Sequence, residues 1–394
     1  MMSYKKKVLI ITYYWPPAGG SGVQRWLKFS KYLRDFEIEP VIYTIDNPSY
    51  PILDKSSESE IPKDLEILKQ AIFEPNSLLS IFGSKSKKES AGFLNPNPTF
   101  FGSIIQYIRA NYFIPDARKF WIQPSVNFLS NYLENNHIDA IITTGPPHSM
   151  HLIGLELKKK LGIKWISDFR DPWTEIDYFQ QLPLTKKATK KHQDLEQEVL
   201  INSDMVVVVG ETMKDKFLKH TNRIEVLTNG FDTIEDLSTQ KLDEKFSITH
   251  VGLMNSDRNP TILWEVLNEI SNTNLNFKND LRIKLIGKLD DAVIQDLKVF
   301  DHNTIETIPY LDHKDVGKYQ ASSQILLLSI NEVPSAKGII TGKIFEYLQA
   351  KRPILAIGPE DGDAAMILKN TNAGTIIGFK NKTALKATIL NLYK

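Results

Sequence analysis

Several short stretches combine glycine with cations, carboxylates or imidazoles in patterns that could do chemistry. The run Tyr13-Tyr14-Trp15-Pro16-Pro17-Ala18-Gly19-Gly20-Ser21-Gly22 leads into a helical pattern. Glycines there let backbone N–H groups approach an anion at the positive end of a helix. It is not a dinucleotide fingerprint, because Gly20-Ser21-Gly22 would then need a small residue where Arg25 stands. Asp46, at the end of the next apolar run, imitates the ribose-binding acid of that fingerprint and keeps a dehydrogenase as a minor alternative. A second stretch, Thr143-Thr144-Gly145-Pro146-Pro147-His148-Ser149-Met150-His151, follows another apolar run. His148 suits a polar contact or acid/base work, and His151 suits packing on a helix face. The two at i, i+3 could also hold a metal, but no carboxylate or third histidine stands beside them.

A third stretch, Asp168-Phe169-Arg170-Asp171-Pro172-Trp173, is dense in charge at a strand end, where one member should face a ligand and another form a salt bridge. In Gly252-Leu253-Met254-Asn255-Ser256-Asp257-Arg258-Asn259-Pro260, Arg258 offers the planar fork of donors that clamps a diphosphate. Gly287-Lys288 closes the next apolar run in a similar, weaker way. The segment from Lys337 to Leu348 places Thr341, Gly342 and Lys343 at a helix start, with an ammonium and free N–H groups for phosphate. Glu346, one turn later, could accept two ribose hydroxyls. This is not a Walker loop, which needs further upstream glycine spacing and a following Ser or Thr. Asp361-Gly362-Asp363 imitates an Asp-x-Asp metal motif, but Asp363 before a helical pattern reads better as its N-cap.

These groups need elements to position them. Apolar, β-branched runs at 8–12, 41–45, 138–143, 164–167 and 205–209 read as strands buried on both faces, with helices between them such as 151–161, ended by Gly162. A second series after Asn229-Gly230-Phe231-Asp232 has strands at 247–251, 282–286, 304–308, 324–329, 353–357 and 375–377. Helices at 262–270, 292–299, 315–320, 343–350 and 364–370 separate them. Alternation of this kind predicts an α/β protein with two Rossmann-like domains facing a cleft, 1–228 and 229–394, whose last helix is free to return to the first. The stretch 47–124 breaks the rhythm and reads as an insertion.

Composition bounds the chemistry. In 394 residues, hydrophobic residues make up 42% and charged residues 24%, ordinary for a globular protein with a real core. Lys+Arg 48 against Asp+Glu 47 leaves a net charge of +1, which argues against bulk nucleic-acid binding. With Cys 0, thiolate nucleophiles, disulfides and cysteine zinc sites are out. The apolar run after Lys5-Lys6-Lys7 stops too early for a signal peptide, and no stretch is long enough to cross a membrane, so a cytoplasmic protein is expected. The aromatic and basic mixture of region 77–118 allows peripheral contact with the inner face of a membrane.

With these residues in view, the chain resembles the retaining glycosyltransferases of family 4, which have the GT-B fold. The resemblance rests on the glycine loop after strand one, Arg170-Asp171-Pro172-Trp173, Asn229-Gly230-Phe231-Asp232 and Gly342-Lys343-Ile344-Phe345-Glu346-Tyr347. It covers nearly the whole chain and is weakest across the insertion. The part from Thr341 to Pro353 is similar to the donor-site helix of bacterial cell-surface polysaccharide transferases. The resemblance implies that Gly19, Gly20 and Gly22 lie near donor phosphates or acceptor. It also implies that Arg258 meets the diphosphate where many relatives have lysine, that Lys343 lies by the phosphates, and that Glu346 binds the ribose. Relatives often carry a second glutamate eight positions before Glu346, where this chain has Gly338. Thr144 stands where they place a histidine, and His148 lies beyond it.

The expected activity is sugar transfer from a nucleotide diphosphate sugar to a hydroxyl of a glycan or lipid-linked acceptor. No other cofactor and no metal is expected. The donor would be held by Gly20, Gly22, Arg258, Lys288, Thr341, Gly342, Lys343 and Glu346, with His148 and Asp171 acting at the anomeric carbon. Other readings are a sugar-nucleotide epimerase of the same fold and a non-catalytic sugar- or nucleotide-binding protein.

Overall fold

The computed structural model describes residues 6–48, 50, 52–72, 100–176, 179, 181–231, 240–309, 311 and 313–394. Two compact units divide the chain, Met1–Thr228 and Asn229–Lys394.

The first unit holds β1 (Lys6–Ile11), β2 (Ile38–Ile45), β3 (Glu66–Gln70), β4 (Ala140–Gly145), β5 (Trp165–Phe169), β6 (Met205–Val208) and β7 (Ile224–Val226). They form one parallel sheet in the order β3-β2-β1-β4-β5-β6-β7. Ile10 sits opposite Ile42 on one side and Ile142 on the other. The pleat sends successive residues to opposite layers. Leu9 and Ile11 pack with Val41, Tyr43 and Ile141 under helices Lys119–Asn135 and Ser149–Leu161, while Val8 and Ile10 pack with Ile42 and Ile142 under helix Ser21–Tyr32. Both faces are therefore covered, which is why the runs are apolar throughout rather than alternating.

The stretch read as an insertion is only partly one. It supplies the edge strand β3, and helix Lys119–Asn135 begins inside it, carrying the buried Trp121 into the core. The sequence Glu-Ile-Leu-Lys-Gln of β3 escapes a hydrophobicity reading because its residues are half-buried or exposed. Residues 73–99, with the basic run at 84–88, and Asp232 of the Asn-Gly-Phe-Asp turn lie outside the described residues.

The second unit repeats the plan with β8 (Phe246–Val251), β9 (Leu281–Ile286), β10 (Ile305–Ile308), β11 (Ile325–Ser329), β12 (Ile354–Ile357) and β13 (Gly374–Ile377). Their order is β10-β9-β8-β11-β12-β13, again parallel. Its last helix, Lys382–Tyr393, is built into this unit: Leu385 and Ile389 join the core, and Lys382 and Lys386 pair with Glu265 and Glu269 of helix Thr261–Thr273. Asp363 is the first residue of helix Asp363–Thr371 rather than its N-cap, a position Gly362 holds. Its charge still favours the positive helix end. Gly162 ends helix Ser149–Leu161 in the left-handed region at φ 67°, with its N–H on the carbonyl of Lys158.

In both sheets the strand order reverses beside the first strand, between β1 and β4 and between β8 and β11. Loops leaving neighbouring strands there turn to opposite faces and open a crevice at the carboxyl ends, the place where open α/β sheets take ligands.

Candidate functional site

In the second unit the switch point is built on two glycines. Gly252 follows β8 at φ 106° and Gly287 follows β9 at φ 120°. A Cβ on Gly287 would lie 2.8 Å from the carbonyl oxygen of Gly252, and one on Gly252 would lie 2.6 Å from Lys343 Cε and 2.9 Å from Nζ. The left-handed backbone disfavours a side chain at both positions, and at Gly287 the backbone of Gly252 leaves no room for one. Lys343 thus lays its ammonium across the turn that ends the central strand. Its helix, Lys343–Ala350, starts at Gly342 without a side-chain cap, so its first N–H groups are not satisfied in that way. The buried Tyr347 anchors the helix at the switch point, where its hydroxyl accepts from the N–H of Val251 at 3.1 Å and donates to the carbonyl of Leu327 at 3.3 Å.

Burial, reinforced by the Arg258 cation and opposed by Glu346, pushes the Lys343 ammonium down to about 8. Among the described residues no carboxylate pairs with it. Arg258 donates through Nε to Asn331 Oδ1 beyond β11, and Gln320 donates to Glu346 at 3.3 Å. Asn255 Oδ1 and Thr341 Oγ1 are among the buried polar atoms of this unit that have no hydrogen-bond partner among the described residues. Two mutually repelling cations at the start of a helix, with a carboxylate one turn along, make a site of local positive charge. An anion with hydroxyls beside it would complete it. The structure therefore brings together Arg258, Lys343 and Glu346, with Gly342 opening the same helix. Lys288 contributes differently: its side chain is exposed, and its carbonyl accepts from Met254 N at 3.0 Å.

In the first unit the charged cluster after β5 sorts itself. Asp168 is fully buried and takes Arg25 Nη2 at 2.8 Å, Arg25 Nε at 3.2 Å, Trp26 Nε1 at 2.7 Å and the Thr144 hydroxyl at 2.8 Å. It is the salt-bridge member, tying helix Ser21–Tyr32 to β4 and β5. Arg170 leans on the same Thr144 through Nε at 3.1 Å and on the carbonyl of Pro146. Its Nη1 lies 2.7 Å from where a Cβ on Gly22 would be. Gly22 is small because Arg170 passes it, and Gly20, at φ 93°, opens the helix without a side-chain cap. Asp171 is exposed.

His148 stands at the N-cap of helix Ser149–Leu161, buried, with its ring stacked on Trp173 at 4.8 Å. Burial, then the neighbouring His151, Arg170 and His192, hold it well below the ordinary histidine value, so it is neutral near pH 7. Trp173 donates in turn to His192 Nδ1 at 3.0 Å. His151 packs on Phe169 with its Nδ1 2.9 Å from the Thr143 hydroxyl, which also accepts from Trp165 Nε1. Sequence reading missed the partnership of Arg25 with Asp168. Its signal was an arginine next to Trp26 on the apolar face of the first helix, where only a buried carboxylate could satisfy it.

These imidazoles make a prediction about acid. Burial pushes His151 and His250 down to about 3 and His192 down to about 4. Below the unfolded value of about 6.5 the unfolded chain takes up protons that the folded chain refuses. Their stabilisation is whole above that pH and fades toward the folded values, by about 1.4 kcal/mol per pH unit for each ring. Urea unfolding at pH 7.5 and 5 should show this loss in both units. It should shrink for the first unit in His151→Gln, and a pH-independent midpoint would contradict it.

No family model matches the chain, and no curated protein matches it. Solved structures match over almost its whole length. WaaG, a glycosyltransferase involved in lipopolysaccharide biosynthesis, is 13% identical with a TM-score of 0.54 over 98% of this chain and 90% of its own. A mutant of S. aureus TarM, in complex with Fondaparinux, alpha-GlcNAc-glycerol and UDP, is 13% identical with a TM-score of 0.59 over 98% and 92%. A Listeria monocytogenes protein assigned as a UDP-N-acetylglucosamine 2-epimerase is 13% identical with a TM-score of 0.54 over 98% and 88%. At such identities what is shared is the fold: two parallel-sheet α/β units, the GT-B architecture.

Proposed function

We propose that this chain is a glycosyltransferase that moves a sugar from a nucleoside diphosphate sugar to an acceptor hydroxyl. The observation that carries the reading is the meeting of Lys343, Arg258 and Glu346 at the switch point of the second sheet. Two cations and a helix N-terminus match the charge that develops on a departing nucleoside diphosphate, and their prior placement lowers the barrier without reorganisation. Glu346 would accept ribose hydroxyls, and Gly342 and Thr341 would donate to phosphate oxygens; Lys288, whose side chain is exposed, is the outlying member of the set.

The first unit, 1–228, would take the acceptor, a glycan or lipid-linked glycan of cell-surface synthesis. There Gly20, Gly22 and Arg170 offer donors to an anionic or hydroxyl-rich group. Neutral His148 would offer a polar contact, and Asp171 an exposed carboxylate for an acceptor hydroxyl. Retention of configuration follows from the resemblance, and a place at the inner face of the membrane suits such an acceptor. The proposed chemistry assigns no step to a metal or to a further cofactor.

The test is a panel of UDP- and GDP-sugars with and without glycan acceptors, in EDTA. The expected result is nucleoside diphosphate release that needs an acceptor and survives the chelator. Activity lost to EDTA and restored by manganese would contradict metal independence. Isomerisation of a nucleotide sugar with no acceptor would make the chain an epimerase.

A further inference from the structure

Two loops meet across the switch point of the second sheet. One follows β8 and carries Arg258 in the short turn Ser256–Arg258; the other follows β11, the neighbour of β8, and carries Asn331. Two hydrogen bonds cross between them side by side. The Glu332 N–H donates to the carbonyl of Asp257 at 3.0 Å, and Arg258 donates through Nε to Asn331 Oδ1. A guanidinium has donors only, so the amide must turn its oxygen toward it.

Both ends of this contact are anchored in the unit. In the Arg258 turn, the Ser256 N–H donates to Asp290 at 3.0 Å, and the Arg258 N–H donates to the carbonyl of Asn255 at 3.0 Å. The next residue, Asn259, donates to Asp296 at 2.6 Å and accepts from Trp264 Nε1 at 2.8 Å. On the other side Asn331 follows Ile330, a core residue whose N–H donates to the carbonyl of Ile357 at 2.9 Å. Gly358 makes room for that isoleucine, since a Cβ there would lie 2.8 Å from Ile330 Cγ1. The Asn331 carbonyl in turn accepts from Val333 N at 3.0 Å. Asn331 is therefore seated on the end of a core strand.

Such a contact does something specific to Arg258. A long side chain loses rotamer freedom when it binds, and that loss weakens affinity. A bond at Nε fixes the plane and rotation of the guanidinium beforehand, and so sets the direction of its Nη groups. The residue that does this must accept a hydrogen bond and carry no charge. A carboxylate would neutralise Arg258 and repel a diphosphate, whereas an amide does neither. We infer that Asn331 is a positioning residue of the donor site, holding the Arg258 guanidinium in the orientation in which it meets the diphosphate. The inference rests on the reading of Arg258 as a diphosphate ligand and adds the group that orients it.

The experiment is titration of UDP and GDP into the full chain, Asn331→Ala, Arg258→Ala and the double variant. Asn331→Ala should weaken the nucleotide that binds by about tenfold, with the melting temperature unchanged. In the Arg258→Ala chain the same change should cost less than about twofold, because no guanidinium is left to orient. Asn331→Asp keeps the shape and the acceptor but adds a charge, and should also lose about tenfold. It carries a second signature. Its carboxylate opposes the repulsion between Arg258 and Lys343, so the fall in affinity at alkaline pH should begin at a higher pH than in the unaltered chain. A side chain that merely filled space would not move that fall. Unaltered affinity in Asn331→Ala, an equal loss in the Arg258→Ala chain, or an alkaline fall unmoved by Asn331→Asp would overturn the inference and leave Arg258 in its role. Arg258→Ala without effect would overturn the donor-site reading, and this inference with it.

Discussion

Asp168→Ala is expected to destabilise the first unit by about 3–5 kcal/mol, because it leaves the buried Arg25 guanidinium without its counter-charge. Arg25 is 4% exposed and Asp168 is 0% exposed, so neither can turn to water when the other is removed. Asp168 also accepts from the Trp26 indole and the Thr144 hydroxyl, two donors that would be orphaned in the same step. Asp168→Asn restores the shape and one acceptor but not the charge, and should cost somewhat less. Pairing Asp168→Leu with Arg25→Met removes both charges, and should recover much of the loss, since the expense lies in the uncompensated ion. Urea unfolding of the four proteins, followed by tryptophan fluorescence, checks the order. The substitution has a functional side as well. Thr144 donates to Asp168 and accepts from Arg170, so losing Asp168 removes the acceptor that orients the hydroxyl on which Arg170 leans beside Gly22.

The second large effect concerns the donor site. Lys343→Ala and Arg258→Ala should each weaken nucleoside diphosphate binding by about 1.5–3 kcal/mol, the range for hydrogen bonds to charged groups, or more than tenfold. Lys343 adds a signature that a merely structural residue would not. In the free protein its ammonium is down at about 8, because burial and Arg258 disfavour the charge. A bound diphosphate favours that charge. Affinity should therefore be flat below pH 8 and fall by up to tenfold per pH unit above it. In Lys343→Ala the alkaline fall should disappear. Binding isotherms between pH 7 and 9.5 in both proteins measure this, and an identical slope in the two would remove Lys343 from the site.

Much of this architecture was legible in the sequence for a simple reason. Parallel strands covered on both faces must be apolar throughout, so runs such as Val-Leu-Ile-Ile and Met-Val-Val-Val could hardly be anything else. Helices that carry glycine or a cation at their start were equally visible, which is why the stretch around Lys343 could be read as a phosphate site. The edge strands of the first sheet, β3 and β7, were not legible. β3 is short and mixed in character, and only its neighbour β2 makes it a strand. Pairings across long separations were also hidden, because nothing in local spacing tells Asp168 that its partner lies 143 residues away at Arg25. The Arg-Asp-Pro-Trp segment shows both limits. Its density of charge was plain, but only packing decides that the salt bridge uses Asp168, that Arg170 reaches the glycine loop and that Asp171 faces solvent. Glu346 sits between these cases, since its place one turn beyond Lys343 follows from helix geometry alone.

The central claim is that the second unit holds a nucleoside diphosphate on Arg258, Lys343 and Glu346. Calorimetric titration of UDP and GDP into the full chain and into Arg258→Ala, Lys343→Ala and Glu346→Ala tests it most directly. The account predicts that one of the two nucleotides binds the unaltered chain at a single site, and that Arg258→Ala and Lys343→Ala weaken it by about 1.5–3 kcal/mol and Glu346→Ala by about 1–3 kcal/mol, without lowering the melting temperature of the free protein. Absence of binding by either nucleotide, or equal affinity in all four proteins, would contradict it.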